Sequence, residues 1–127
     1  MIVVVLCGGL GTRLEDYSFP KPLNMIYGKP SIVYCLQNLP DIVTTIHFIV
    51  APHLVKYNFA EIVTNEFKTK QCIFHYLPYC TRGAIESAFI GTTNIKGISD
   101  DENIVFLDND VLYKFPENMF SDKPSAF

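Results

Sequence analysis

The sequence predicts an α/β fold of the doubly wound kind, in which a mostly parallel β-sheet is covered by helices. Short apolar runs rich in β-branched residues alternate along the chain with segments of helical periodicity. The first run, MIVVVL at 1–6, is continuous rather than alternating, as expected for a strand buried on both faces. A length of 127 residues is typical of one domain, so we expect a single domain.

The predicted order of elements is strand, helix, strand, helix, strand, helix, strand. Strands are expected at 1–6, 44–51, 72–77 and 103–107. Helices are expected at 31–38, capped by Ser31, at 54–67, and at 83–93, opening on Gly83. The inward face of the first helix is apolar and comprises Ile32, Cys35, Leu36 and Leu39. Right-handed crossovers would gather the loops that follow the strands at one edge of the sheet, where open α/β sheets bind ligands.

The composition argues against several classes of function. Hydrophobic residues make up 49% and charged residues 18%, which is typical of a soluble globular protein. A net charge of −3 supplies no basic field, so we expect no nucleic-acid partner. Because no apolar run approaches the roughly 18 residues of a membrane span, we expect no membrane partner.

The four cysteines stand at 7, 35, 72 and 80 without a CxxC pair. Three of them lie in apolar segments, where a reduced cysteine packs as a small hydrophobe. Cys72, His75 and Cys80 fit no common zinc spacing, and a fourth ligand is not evident. We therefore expect reduced thiols and a cytoplasmic protein.

The stretch CGGLGTRL at 7–14 has the features of a phosphate-binding turn. Its glycines permit positive φ and a close approach of ligand to main chain; they are Gly8, Gly9 and Gly11. Arg13 adds a permanent charge suited to phosphate oxygens. The turn is neither a Walker loop, which needs Lys-Ser/Thr, nor a dinucleotide fingerprint, since Leu14 replaces the last glycine. Alone, it is equally compatible with a tight turn that carries a solvated arginine.

Two further stretches carry candidate charges. In FPKPL at 19–23, the flanking prolines stiffen the backbone around Lys21, which suits a charge meant for phosphate. IVFLDND at 104–110 ends a strand with Asp108 and Asp110, which point the same way and suit Mg²⁺. The alternatives are an ordinary exposed lysine and an Asx turn at Asn109. Together, the three stretches indicate a triphosphate site.

The motifs GGLGTRL, PKPL and GKPSIVY resemble the amino-terminal signature of the sugar-1-phosphate nucleotidylyltransferases, or nucleotide-sugar pyrophosphorylases. RGAIESAF at 82–89 and FLDNDV at 106–111 extend the resemblance over almost the whole chain. It implies a Rossmann-like three-layer α/β/α sandwich of the nucleotide-diphospho-sugar transferase type. The implied reaction condenses a nucleoside triphosphate with a sugar 1-phosphate to give a nucleotide-sugar and pyrophosphate.

The resemblance also implies roles for residues. Arg13 would neutralise the departing pyrophosphate and Lys21 would contact the phosphates, so these two are the catalytic candidates. Asp110 would be the magnesium ligand, with Asp108 as an accessory. The nucleotide-binding candidates are Leu6, Cys7, Gly8, Gly9, Gly11, Thr12 and Gly83. The three histidines are interpreted as core or surface residues rather than general bases: His47, His53 and His75.

The family's catalytic domain is longer than this chain. We therefore expect residues 1–127 to form a single nucleotidyltransferase-like domain that is incomplete on its C-terminal side. The apolar surface left uncovered would favour self-association or a second chain that completes the site. The open alternatives are a non-catalytic nucleotide-binding or regulatory relative and a cytidylyltransferase for an activated alcohol phosphate. A transferase that consumes nucleotide sugars is disfavoured, because it has no use for the GGLGTRL turn.

Overall fold

The computed structural model of the protein describes residues 2–8, 21–79, 81–93, 95, 103–109 and 111–115. The strands are β1 (Ile2–Cys7), β2 (Met25–Ile26), β3 (Lys29–Pro30), β4 (Thr45–Val50), β5 (Gln71–Tyr76) and β6 (Ile104–Asp108). The α-helices are α1 (Ser31–Leu36), α2 (Phe59–Glu66) and α3 (Ala84–Thr92), and two 3₁₀ helices span Lys21–Leu23 and Pro52–Tyr57. All four predicted strands and the three predicted helical regions are confirmed.

The main sheet is parallel throughout, and its strand order is β5-β4-β1-β6. Val5 of β1 lies opposite Phe48 of β4 on one side and Leu107 of β6 on the other. Parallel neighbours end at the same edge, so the carboxyl ends of β1 and β6 are adjacent. The predicted doubly wound α/β class is confirmed.

The two faces of this sheet are covered by different helices. Val3 and Val5 of β1 pack in a core that includes Ile32 of α1 and Phe59 of α2. The alternate β1 residues pack in a smaller core on the other face, which includes Ala88 of α3. This alternation follows from the period of two along a strand and gives three layers. The three-layer α/β/α arrangement implied by the family resemblance is therefore present.

Helix α3 packs against the sheet at Gly91, where the two surfaces leave no space for a side chain. A Cβ atom on Gly91 would stand 2.4 Å from the Cδ1 atom of Ile49 on β4. Ile49 is fully buried, so it has little freedom to yield. The glycine thus sets the spacing between α3 and the strands, and with it the position of the helix's first turn.

Local chemistry explains where the elements differ from prediction. Pro30, not Ser31, stands at the N-cap of α1, and the helix ends at Leu36, so the predicted cap and end were wrong. The predicted single helix over 54–67 is divided at Asn58, whose φ of 57° is left-handed. Asparagine tolerates that conformation, which ends the 3₁₀ helix before α2 begins. The β2–β3 hairpin was not predicted, because two-residue strands carry no periodicity.

Among the described residues, no helix is long and apolar enough to cross a membrane.

Candidate functional site

The candidate site lies at the carboxyl edge of the sheet, where β1 and β6 end side by side. Leu6 pairs with Asp108 in the parallel register, and Gly8 follows directly after β1. Neighbouring strands lie about 4.8 Å apart. The beginning of the glycine turn and the beginning of the acidic segment are therefore next to each other, although about a hundred residues separate them in the chain.

Gly8 packs directly against the layer that contains α3. Its carbonyl oxygen accepts a hydrogen bond from the Thr81 N–H at 3.1 Å, with the Thr81 hydroxyl 3.3 Å away. A Cβ atom on Gly8 would stand 2.3 Å from Ser87 Oγ and 2.7 Å from Leu77 Cδ1. Real Cβ atoms do not approach other atoms so closely. The glycine is needed here for close packing, in addition to any role in ligand binding.

The first turn of α3 is fixed by a buried pair of hydroxyl groups. Thr81 and Ser87 are 5% and 1% exposed, and their hydroxyl oxygens are hydrogen-bonded to each other. The Ser87 N–H donates to the Gly83 carbonyl oxygen at 3.1 Å, which closes the first helical turn. Sequence reasoning did not single out Thr81 or Ser87. Their signal was the pair of small hydroxyl residues flanking Gly83, which is too common to be specific.

The acidic segment is bound to its neighbours by side chains. Asn109 Nδ2 donates to the Leu6 carbonyl oxygen at 2.8 Å, and the Asp108 N–H donates to the Tyr113 hydroxyl oxygen at 2.8 Å. The thiol of Cys35 on α1 donates to the Asn109 carbonyl oxygen at 3.3 Å. Sequence reasoning considered Asn109 only as a turn residue, and missed that its side chain reaches β1.

The structure brings several of the predicted nucleotide-binding residues to this edge. Leu6 is 9% exposed and faces the α3 layer, whereas Cys7 is 2% exposed and faces the larger core. Burial raises the pKa of the Cys7 thiol to about 12. Any contribution of Cys7 to ligand binding would thus come from its main chain. Gly83 stands at the N-cap of α3, is exposed, and has open space on the side where a Cβ would be.

The structure describes fewer of the remaining predicted site residues. Lys21 begins a short 3₁₀ helix that is anchored by Leu23, which is 1% exposed. Residues and groups outside the described part of the chain are Gly9, Gly11, Thr12, Arg13, Asp110 and the side chain of Lys21. Cys80 of the rejected zinc spacing also lies outside it. The catalytic candidates and the expected magnesium ligand therefore stay predictions.

The exposed Asp108 provides hard carboxylate oxygens at the edge, and such oxygens are the donors that Mg²⁺ prefers. Within the described ranges, no group of three or more His, Cys, Asp or Glu residues could hold a metal ion. A magnesium ion here would need Asp110 and phosphate oxygens as further ligands. That donor set agrees with the way Mg²⁺ is usually bound, by one or two carboxylates together with substrate phosphates.

Two histidines form a pair on the sheet, away from the carboxyl edge. His47 lies opposite Val4 in the middle of β1, and its Nδ1 atom is 3.0 Å from His75 Nε2. The rings stack with centroids 5.2 Å apart. Burial lowers the pKa of both residues, and the neighbouring His75 lowers the pKa of His47 further.

Comparison with known proteins yields relatives of one enzyme class, while no family model matches the sequence. "Bifunctional protein GlmU" of Methanocaldococcus jannaschii is 29% identical over 116 residues, which is 90% of this chain and 26% of that protein. GlmU of Thermodesulfovibrio yellowstonii is 35% identical over 94 residues, 67% of this chain and 21% of that protein. The crystal structure of HddC from Yersinia pseudotuberculosis, complexed with GMP-PN, matches with a TM-score of 0.64 and 26% identity. That match covers 85% of this chain and 47% of HddC.

The fold and the matches define a nucleotidyltransferase-like α/β protein. More particularly, the chain is homologous to the N-terminal region of GlmU, a sugar-1-phosphate nucleotidyltransferase, and shares its fold with the nucleotidyltransferase HddC. The resemblance predicted from the motifs is confirmed. The chain spans about a quarter of the length of the GlmU relatives and about half that of HddC.

Proposed function

We propose that this chain carries the triphosphate-binding and metal-binding part of a nucleotidyltransferase that acts on a sugar 1-phosphate. The observation that carries the proposal is the register of β1 and β6, which places Asp108 opposite Leu6 just before the glycine turn. Gly8 is packed against the first turn of α3, so turn, helix start and acidic segment share one edge. HddC was crystallised with GMP-PN, which favours a nucleotide as the ligand of this chain too.

In the proposed reaction, a phosphate oxygen of the sugar 1-phosphate attacks the α-phosphorus of the nucleoside triphosphate in line. The bond between the α-phosphorus and the oxygen bridging it to the β-phosphate breaks, and pyrophosphate leaves with the electron pair. This step needs no covalent protein intermediate, so positioning and charge neutralisation supply the catalysis. Arg13 would neutralise the leaving pyrophosphate, and Lys21 would contact the phosphates around the reacting centre.

Asp110, with Asp108 as an accessory, would hold Mg²⁺, which supplies charge neutralisation at the phosphate oxygens. The glycine turn binds phosphate through main-chain N–H groups, which approach a ligand closely because glycines carry no side chains. Gly83 and its neighbours at the start of α3 would pack near the base and ribose, and no described atom lies within 4 Å of the place that a Cβ on Gly83 would occupy.

The test is an assay of pyrophosphate release by the full chain with Mg²⁺, each common nucleoside triphosphate and a panel of sugar 1-phosphates. We expect release with at least one pair of substrates. We expect Arg13→Ala to lower the rate by about a hundredfold or more, since charge stabilisation in the transition state is lost. Lys21→Ala should also lower the rate, whereas Lys68→Ala is the matched control, because exposed Lys68 follows α2 near the opposite edge of the sheet.

Two outcomes would contradict the proposal. Triphosphate binding without pyrophosphate release for any pair would reject self-sufficient catalysis by this chain and favour a non-catalytic nucleotide-binding relative. Unchanged triphosphate affinity in Arg13→Ala would reject the glycine turn and Arg13 as the phosphate site.

A further inference from the structure

The acidic segment is joined to β1 by a hydrogen bond that does not belong to the sheet ladder. The ladder between β1 and β6 ends with the pair Leu6 and Asp108. Asn109 is the next residue, and its side-chain Nδ2 donates to the Leu6 carbonyl oxygen at 2.8 Å. The side chain therefore extends the connection between the two strands by one step, to the point where the glycine turn begins.

A second connection closes the acidic segment into a loop. The Asp108 N–H donates to the Tyr113 hydroxyl oxygen at 2.8 Å, so the chain returns to the end of β6 five residues later. Tyr113 is itself held, because its carbonyl oxygen accepts a hydrogen bond from Asn38 Nδ2 at 2.8 Å and its ring stacks on Phe115. Asp110 stands between these two connections in the chain.

Asparagine suits this position chemically. The Leu6 carbonyl oxygen is an acceptor, and among small side chains of this shape only the amide is a neutral donor. An aspartate of the same size would present an oxygen to an oxygen and lose the bond. The main-chain carbonyl of Asn109 is also engaged, by the thiol of Cys35 on α1. Side chain and main chain of Asn109 thus bind two different elements.

We propose that Asn109 is a positioning residue that fixes the end of β6 against the end of β1, so that the carboxylates before and after it in the chain engage one Mg²⁺–triphosphate complex together with the glycine turn. This inference rests on the proposed function. Residues that orient metal-binding side chains without touching the metal usually change metal affinity by about 10- to 100-fold when removed. Asn109 acts through the carboxylates on either side of it rather than on the substrate.

The probe is inorganic tripolyphosphate, which carries the phosphates without a base, measured by calorimetry with and without Mn²⁺. Binding without Mn²⁺ reports the glycine turn, and the gain in affinity with Mn²⁺ reports the aspartates. In Asn109→Ala we expect this gain to fall by about tenfold while affinity without Mn²⁺ stays within about twofold of the wild type. Asn38→Ala is the comparison variant: it removes an equivalent amide-to-carbonyl bond at Tyr113, further along the chain from the carboxylates, so we expect its gain to change less than that of Asn109→Ala.

A purely structural role for Asn109 would lower the urea midpoint of Asn109→Ala without changing the gain, and that result would overturn the inference. Should Asn109→Ala fail to fold by circular dichroism, Asn109→Asp keeps the size and replaces the amide donor by a charged acceptor. Its added charge alone would strengthen cation binding, so a reduced gain supports positioning and a retained gain overturns it. If Mn²⁺ does not raise the tripolyphosphate affinity of the wild type, the proposed function fails and this inference fails with it. If Mn²⁺ raises the affinity of the wild type and of Asn109→Ala equally, only the inference is overturned.

Discussion

Gly8→Ala tests whether the glycine turn is fixed by packing against α3. The new Cβ would stand 2.3 Å from Ser87 Oγ and 2.7 Å from Leu77 Cδ1. Both neighbours are buried, at 1% and 3% exposure, and the Ser87 hydroxyl is hydrogen-bonded to Thr81. The strain therefore has to be relieved by moving the first turn of α3 away from the sheet edge.

Overpacking of this kind costs about 1–3 kcal/mol in the free energy of unfolding. For a domain of this length, each kcal/mol corresponds to about 4 °C in Tm. We expect urea denaturation and thermal melting followed by circular dichroism to show a loss in that range. Gly83→Ala is the matched control, because nothing lies within 4 Å of the place that its new Cβ would occupy, and its effect should stay below about 1 kcal/mol, since it changes only the N-cap residue of α3.

A double-mutant cycle identifies the cause of the loss. Ser87→Ala removes the Oγ atom that the new Cβ meets, and Leu77 Cδ1 is the end of a flexible side chain. Gly8→Ala with Ser87→Ala should therefore be less destabilised than the sum of the two single variants, by about 1 kcal/mol. Equal effects of Gly8→Ala and Gly83→Ala, or strict additivity in the cycle, would refute the proposed packing.

Two further predictions concern titratable groups. Folding lowers the pKa of His47 and of His75. As the pH falls below about 6.5, the unfolded chain therefore binds more protons than the folded protein, and the free energy of unfolding should decrease. His75→Gln should weaken this decrease between about pH 7 and 5.5 in urea titrations; a slope equal to that of the wild type would contradict it. In the native protein at about pH 8, a thiol reagent should modify half-buried Cys72 but not Cys7, whose pKa is raised to about 12 by burial. Peptide mass mapping would detect the difference, and rapid modification of Cys7 without unfolding would contradict the burial described for β1.

The elements of the fold were predictable from sequence because their signals are local. A continuous β-branched run identified β1, and the apolar spacing of Ile32, Cys35 and Leu36 identified the buried face of α1. The neighbouring positions of β1 and β6 were not visible in any local pattern, since their pairing joins residues about a hundred positions apart. Only the general rule for parallel sheets predicted that the loops after the strands share an edge.

The candidate site was predictable in its residue types but not in its supporting contacts. The glycines and aspartates were recognisable because the motifs that contain them, GGLGTRL and FLDNDV, occur together in one chain. The contacts of Thr81 with Gly8 and of Asn109 with Leu6 depend on tertiary structure, and each residue on its own resembles an ordinary turn residue. Thr81 and Asn109 position the main chain, and a sequence pattern carries little information about main-chain position.

The main-chain carbonyl oxygens at the end of β1 are engaged by three different parts of the protein. The Leu6 carbonyl accepts from Asn109 Nδ2, the next carbonyl along the chain accepts from the Ala51 N–H, and the Gly8 carbonyl accepts from the Thr81 N–H. Three successive carbonyl oxygens are thus already engaged by the protein. These contacts fix the path of the main chain from Leu6 to Gly8 independently of any ligand, so the start of the glycine turn is in place before a ligand binds. Under the proposed function, a triphosphate would therefore meet a preformed start of the turn, which lowers the ordering cost of binding.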